Sequence, residues 1–190
     1  MPLSLVRPAL EHLASYTDAL RRGWSPDNVR LDVAAREELD AIARDPAAFL
    51  ARLDDLDARG DPITLPDGSR VARLPGFRRW MWDEDFCGSI GVRWQPGTAD
   101  LPAHVLGHIG YAVVPWRRRR GHAGRALALL LREIAPIGLP HVELTTEPDN
   151  HASIRVITAN GGVLVARFVK PEAYGGAPGL RFRIALPATR

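Results

Sequence analysis

Cysteine occurs once in the 190 residues, at Cys87, and lysine once, at Lys170. A single thiol excludes an intramolecular disulfide and any zinc site built on cysteines. No apolar run approaches the roughly 18 to 20 residues that a membrane-spanning helix requires. Met1–Leu10 carries neither the basic start nor the apolar block of a secretory signal. The expectation is a cytoplasmic protein with no membrane partner. Internal repeats and low-complexity linkers are missing as well, so the chain reads as one domain over 1–190. Hydrophobic residues make up 46% and charged residues 25%, which argues against disorder. A chain of this length buries roughly 70% of its unfolded surface, enough for one sizeable core.

With lysine nearly absent, the net charge of +3 rests on arginine. The planar guanidinium donates two parallel hydrogen bonds and suits phosphate. Acidic residues lie mostly before Asp85 and basic ones are denser after it, so the C-terminal half attracts anions.

Leu3–Arg7 reads as a first strand, after which Pro8 opens a helix with Leu10, Leu13, Tyr16 and Leu20 at near-helical spacing. Gly23 ends it. A second helical region runs from Asp32 to about Asp57 and breaks at Asp45–Pro46, where Asp45 can cap a helix. Gly60–Gly76 is rich in Pro, Gly and Asp and reads as loop. From Phe77 the period changes to that of strands: Phe77–Trp82, Phe86–Trp94 and His104–Val114, the first two joined by the turn Asp83–Asp85. A helix over Gly121–Ile134, a strand over His141–Thr146 and a helix over His151–Ala159 follow, the last stopped by Gly161–Gly162. Val163–Val169 and Leu180–Leu186 are the final strands. The order describes one α/β domain with a mixed sheet.

The segment Val113-Val-Pro-Trp-Arg-Arg-Arg-Arg-Gly-His-Ala-Gly-Arg125 carries the strongest chemical signal. A strand ends at Pro115, a basic loop follows, and Gly121–Gly124 opens a helix. Small residues let a ligand approach the backbone, and free N–H groups at the positive helix end form an anion site. The competing reading of Arg117–Arg120 is a solvated turn or a nucleic-acid contact. Nucleic-acid binding calls for aromatics interleaved with the basic residues, and Trp116 alone does not supply them. No nucleic-acid partner is expected.

Here the sequence resembles the GNAT superfamily of N-acetyltransferases, whose acetyl-CoA loop has the pattern Arg/Gln-x-x-Gly-x-Gly/Ala. Arg118-Arg-Arg-Gly121-His-Ala123 fits it in a strand–loop–helix setting. Gly107-His-Ile-Gly-Tyr-Ala-Val-Val-Pro115 is similar to the family's fourth strand, Asn150-His-Ala-Ser153 to the start of its next helix, and Val156–Gly162 to that helix's end. The resemblance implies a mostly antiparallel, twisted α/β sheet of about seven strands with flanking helices, splayed between the fourth and fifth. Residues 1–76 would shape the acceptor side and 77–190 the acetyl-CoA core. Acetyl-CoA is then the co-substrate, with no metal. The implied contacts are Tyr111, Ala112, Val113 and Val114 for the pantetheine and thioester, and Arg118, Arg119, Arg120, Gly121, His122, Ala123, Gly124 and Arg125 for the pyrophosphate. Asn150 and Ser153 lie near the pantetheine arm. The implied reaction is direct attack of an amine, with a primary amine of a small molecule as acceptor. Protein or peptide amines and a non-catalytic acyl-CoA-binding module are the alternatives. The resemblance is compatible with a homodimer.

Catalytic residues are less defined. The positions where family members carry a base are here Ile109 and Gly107, which do not titrate. His108 is one residue out of phase and faces the other side of a regular strand unless a bulge re-aims it. Glu143 and Glu147 either face the cleft or are exposed. Family members carry an acidic tyrosine seven residues after the asparagine; here Ile157 stands there. Tyr174, in the glycine-rich last hairpin, or Tyr111 remain as donors. Trp24, after the first helix, either contacts substrate or covers the core. Cys87 reads as packing.

Overall fold

The structure, a computed structural model, describes residues 3–65 and 68–187. Strand β1 (Ser4–Val6) leads through a 3-10 turn at Leu10–His12 into α1 (Leu13–Arg21), which buries Leu13, Tyr16, Ala19 and Leu20 along one face. Helix α2 (Leu31–Arg44) stops at Asp45, whose carboxylate accepts the Ala48 N–H at 2.9 Å and so caps α3 (Pro46–Ala51). The helical reading to Asp57 is too long. Asp54–Asp55 instead forms β2 and pairs with Phe77 and Gly76, because Arg7 (2.6 Å) and Arg79 (3.6 Å) draw the Asp54 carboxylate to the sheet. The stretch read as loop holds a small ladder of β3 (Ile63–Thr64) and β4 (Arg70–Val71).

β5 (Gly76–Asp83) and β6 (Asp85–Arg93) form a hairpin whose turn residue Glu84 has φ of 62°. β7 (Ile109–Val113) pairs with β6, and starts five residues later than the spacing suggests. Its lead-in is bent by a turn in which Val105 N–H donates to the Pro102 carbonyl at 2.8 Å. These strands lie in the order β1-β5-β6-β7, with β2 beside β5. Helix α4 (His122–Glu133) then carries the chain to β8 (His141–Thr146), and α5 (His151–Ala159) leads to β9 (Val163–Val169) and β10 (Pro178–Ala185). β10 inserts between β8 and β9, giving a second sheet in the order β8-β10-β9. Leaving aside the two-residue strands, the seven that remain divide after the fourth, β7, as the resemblance implies.

Two cores lie on opposite faces of the first sheet. On one, Ala126, Leu127 and Leu130 of α4 and Ile157 of α5 pack on Met81, Ile90 and Ile109, and also on Val142, Leu144 and Phe182 of the second sheet. This shared core holds the two sheets in one body, each fully buried aliphatic side chain contributing about 1.5–3 kcal/mol. On the other face, α1, α2 and α3 cover an aromatic cluster. There Tyr16 stacks on Trp80 at 4.4 Å, and Phe86 and Trp24 meet Tyr16 edge-on. Cys87 is fully buried, and burial raises its thiol pKa, which fits packing rather than nucleophilic work.

Candidate active site

The division between β7 and β8 is pinned at its closed end. His108 N–H donates to the Glu143 carbonyl at 2.7 Å, and Glu143 N–H donates back to His108 Nδ1 at 2.9 Å. The imidazole nitrogen thus stands where a strand carbonyl would continue the ladder. Among the described residues no strand ladder joins the two sheets beyond it. Gly107 fits the closed end because an added Cβ would stand 3.0 Å from the Glu143 carbonyl oxygen. Gly110, just inside the opening, is exposed, with nothing within 4 Å of the space a Cβ would take.

At the open end β7 runs into Pro115–Arg117 and then the basic loop. Arg119 (φ 61°) and Gly121 (φ 78°) both take left-handed backbone, which turns the chain sharply into α4. Gly121 is the N-cap and no side chain caps the helix. The amides of His122, Ala123 and Gly124 therefore lack helical acceptors. Cβ atoms at Gly121 and Gly124 would meet nothing within 4 Å. The free amides and the helix dipole at this end, in a loop where Arg118–Arg120 are exposed, could hold a pyrophosphate. Three of the expected loop side chains have partners elsewhere. Arg125 Nε donates to the Leu3 carbonyl at 2.9 Å, tying α4 to β1. His122 is buried with Nε2 4.0 Å from Asp83 Oδ2, and desolvation lowers its pKa, so its backbone rather than its ring is offered to a ligand. Arg118 Nε folds back on the Val113 carbonyl at 3.3 Å.

Across the opening, Tyr111 on β7 and Ser153 on α5 meet hydroxyl to hydroxyl at 2.7 Å. Asn150 caps α5, its Oδ1 accepting the Ser153 N–H at 3.0 Å. Neither sequence pattern nor spacing signalled the Tyr111–Ser153 bridge, because it joins residues 42 positions apart. Ile157 is buried in the shared core, so the position of the family's tyrosine carries no proton donor here.

The remaining candidates lie outside the shared core. Glu143 is held by Arg183 Nη2 at 2.8 Å and by Arg181 Nε at 3.4 Å, two cross-sheet partners on β10. His108 is fully buried, and desolvation lowers its pKa to about 4. Its Nδ1 lone pair is occupied by Glu143 N–H, so the proton of the neutral ring sits on Nε2. Glu147 pairs with Lys170, which holds its pKa down. Tyr174 donates to the His104 carbonyl at 2.7 Å, which folds the last hairpin over the lead-in to β7. Trp24 is buried edge-on to Tyr16 and Phe86.

A model of the GNAT acetyltransferase domain matches residues 32–163, more than half of the chain. The chain belongs to the GNAT acetyltransferase family. It is an acetyltransferase of the type that draws on acetyl-CoA. No curated protein matches its sequence significantly. Solved GNAT structures share its fold at low identity. The RimL ribosomal L7/L12 α-N-protein acetyltransferase in complex with coenzyme A has 12% identity and a TM-score of 0.65, over 98% of this chain and 96% of that one. Mycobacterium smegmatis RimJ in complex with CoA-disulfide has 16% identity and a TM-score of 0.64, over 96% and 81%. The microcin C7 self-immunity acetyltransferase MccE, in complex with acetyl-CoA and AMP, has 12% identity and a TM-score of 0.63, over 97% and 92%. Among the described residues no group of three or more His, Cys, Asp or Glu is disposed to hold a metal ion, and no helix is long and apolar enough to cross a membrane.

Proposed function

We propose that this GNAT protein transfers the acetyl group of acetyl-CoA directly to a primary amine of a small molecule, without a covalent enzyme intermediate. The observation that carries the reading is the open division between β7 and β8 with the uncapped end of α4 at its mouth. The amides from Arg119 to Gly124 hold the pyrophosphate, with Arg118, Arg119 and Arg120 adding charge. The outer edge of β7 and its continuation, from Tyr111 to Val114, receives the pantetheine arm, and Asn150 and Ser153 flank it. Bound acetyl-CoA supplies an activated thioester. Residues 1–76 close the acceptor side.

The protein's own groups then have separate tasks. The Tyr111–Ser153 hydroxyl pair stands at the division where Ile157 offers nothing, and it protonates the departing thiolate. Burial raises the Tyr111 pKa, so its hydroxyl carries its proton and is available as a donor. Glu143, fixed by Arg181 and Arg183, takes the amine's proton through water. Solved neighbours named as ribosomal-protein acetyltransferases keep peptide amines in view as acceptors of the same chemistry.

The test is thiol release from acetyl-CoA across a library of small primary amines and N-terminal peptides, with acetylated products identified by mass. Release with small amines supports the reading. Release with peptides alone moves the acceptor to protein amines, and acetyl-CoA binding without release from any amine leaves a non-catalytic acyl-CoA module.

A further inference from the structure

The described glycines that keep ordinary backbone are explained by close neighbours, with two exceptions. A Cβ at Gly76 would stand 2.6 Å from the Val92 carbonyl oxygen, at Gly91 3.3 Å from that of Phe77, and at Gly107 3.0 Å from that of Glu143. At Gly179 it would lie 2.9 Å from the Phe168 ring, and Gly60 and Gly162 are crowded in the same way. Only at Gly110 and Gly124 would it meet nothing within 4 Å, and neither residue takes left-handed backbone. Glycine inside a strand or helix is destabilising, and nothing in the fold requires it at these two positions. Gly124 lies in the first turn of α4, where a pyrophosphate approaching the amides accounts for it. Gly110, in the middle of β7, is left over.

Strand alternation sets the side on which its free space opens. Ile109 and Tyr111 flank Gly110 and turn toward the shared core, where Ile109 is buried and the Tyr111 hydroxyl meets Ser153 of α5 at 2.7 Å. Gly110 and Ala112 therefore look the other way, and Ala112 packs against the aromatic cluster. On β8, Val142 and Leu144 are buried in the shared core, so Glu143 and Thr145 stand on the opposite face. Helices α4 and α5 pack on the shared-core side, and with them lie the groups assigned to acetyl-CoA. An amine attacking a thioester held between β7 and β8 is left the opposite face, and there Gly110 is exposed.

We propose that Gly110 determines which acceptors fit. The amine passes over it, and a substituent on the amine-bearing carbon occupies the space that a side chain at this position would fill. The acceptor is accordingly a primary amine on a branched carbon rather than a slender aminoalkane. This rests on the acetyltransferase reading above.

The test compares thiol release with matched amines, an unbranched primary amine against its counterpart carrying one more carbon group beside the nitrogen. The wild type is expected to show the higher kcat/KM with the branched member. Gly110→Ala should lower the branched-to-unbranched ratio at least about tenfold, the effect of one misplaced methylene group in a pocket, and Gly110→Val should lower it further. Because the position has room for an added carbon, Gly110→Ala should melt at or above the wild-type temperature and bind acetyl-CoA with unaltered affinity. Gly110→Cys reads the face even where no amine is turned over, since the native Cys87 is fully buried. Saturating acetyl-CoA should leave the introduced thiol nearly as open to iodoacetamide as before. Absence of acetyl-CoA binding to the wild type would overturn the acetyltransferase reading instead. The proposal is overturned by strong protection of the introduced thiol, by a wild type that favours the unbranched member, or by a ratio untouched in Gly110→Ala. Failure of Gly110→Ala to fold would show a structural need for glycine and would overturn it equally.

Discussion

His108 and Glu143 exchange two hydrogen bonds at the point where the sheet divides, one of them through an imidazole nitrogen standing in for a backbone carbonyl. The strands on either side of the division come from opposite ends of α4, so this pair sets where the cleft begins. Removing the ring leaves a buried Glu143 N–H without an acceptor and a cavity beside it. His108→Ala should cost about 2–4 kcal/mol, which lowers Tm by roughly 5–15 °C in a chain of this size. His108→Asn restores an acceptor oxygen near the Nδ1 position and should lose markedly less. Equal losses from the two substitutions in urea denaturation would refute the pinning role.

The same pair imposes a pH dependence. The His108 pKa is pushed down to about 4 in the folded protein by desolvation, against about 6.5 when exposed. The unfolded chain therefore takes up the proton first. His108 contributes its full stability above about pH 6.5, and that contribution is lost progressively as pH falls from 6.5 to 4, roughly 3 kcal/mol over the whole window. The stability gap between wild type and His108→Asn should narrow across that range. A gap independent of pH from 7 to 4.5 would contradict a buried neutral ring.

Tyr111 and Ser153 give a prediction about rate. If their hydroxyls protonate the thiolate, Tyr111→Phe and Ser153→Ala each lower kcat tenfold or more while acetyl-CoA affinity changes far less. Because the two act as one relay, the double variant should be hardly slower than either single one. Unchanged kcat in Tyr111→Phe, measured by thiol release, would remove the pair from the chemistry.

Local patterns made much of this legible. The arginine-glycine loop, the cap at Asp45, the turn at Asp83–Asp85 and the helix over 122–133 depend on neighbouring residues, and their signals lie within a few positions. What escaped depends on contacts between distant segments. Asp54–Asp55 continues a helical-looking run, yet Arg7 and Arg79 draw it into a strand. The lead-in to β7 has strand-like residues, but the turn at Pro102 and the closing hairpin at Tyr174 shape it otherwise. Glu143 looked exposed or catalytic from its alternation, and only the register of β10 reveals the two arginines that hold it.

Calorimetric titration of acetyl-CoA into the wild type, Gly121→Glu and Gly121→Asn tests the central claim most directly. Asparagine tolerates the left-handed backbone at φ 78°, whereas glutamate adds strain, bulk and negative charge where the pyrophosphate is to lie. The expected result is tight binding to the wild type, nearly intact binding to Gly121→Asn, and a loss of at least about a hundredfold in a folded Gly121→Glu, since the amide cradle and the charge act together. Wild-type protein that folds but does not bind acetyl-CoA, or Gly121→Glu that binds it equally well, would contradict the placement of the cofactor at α4 and with it the proposed reaction.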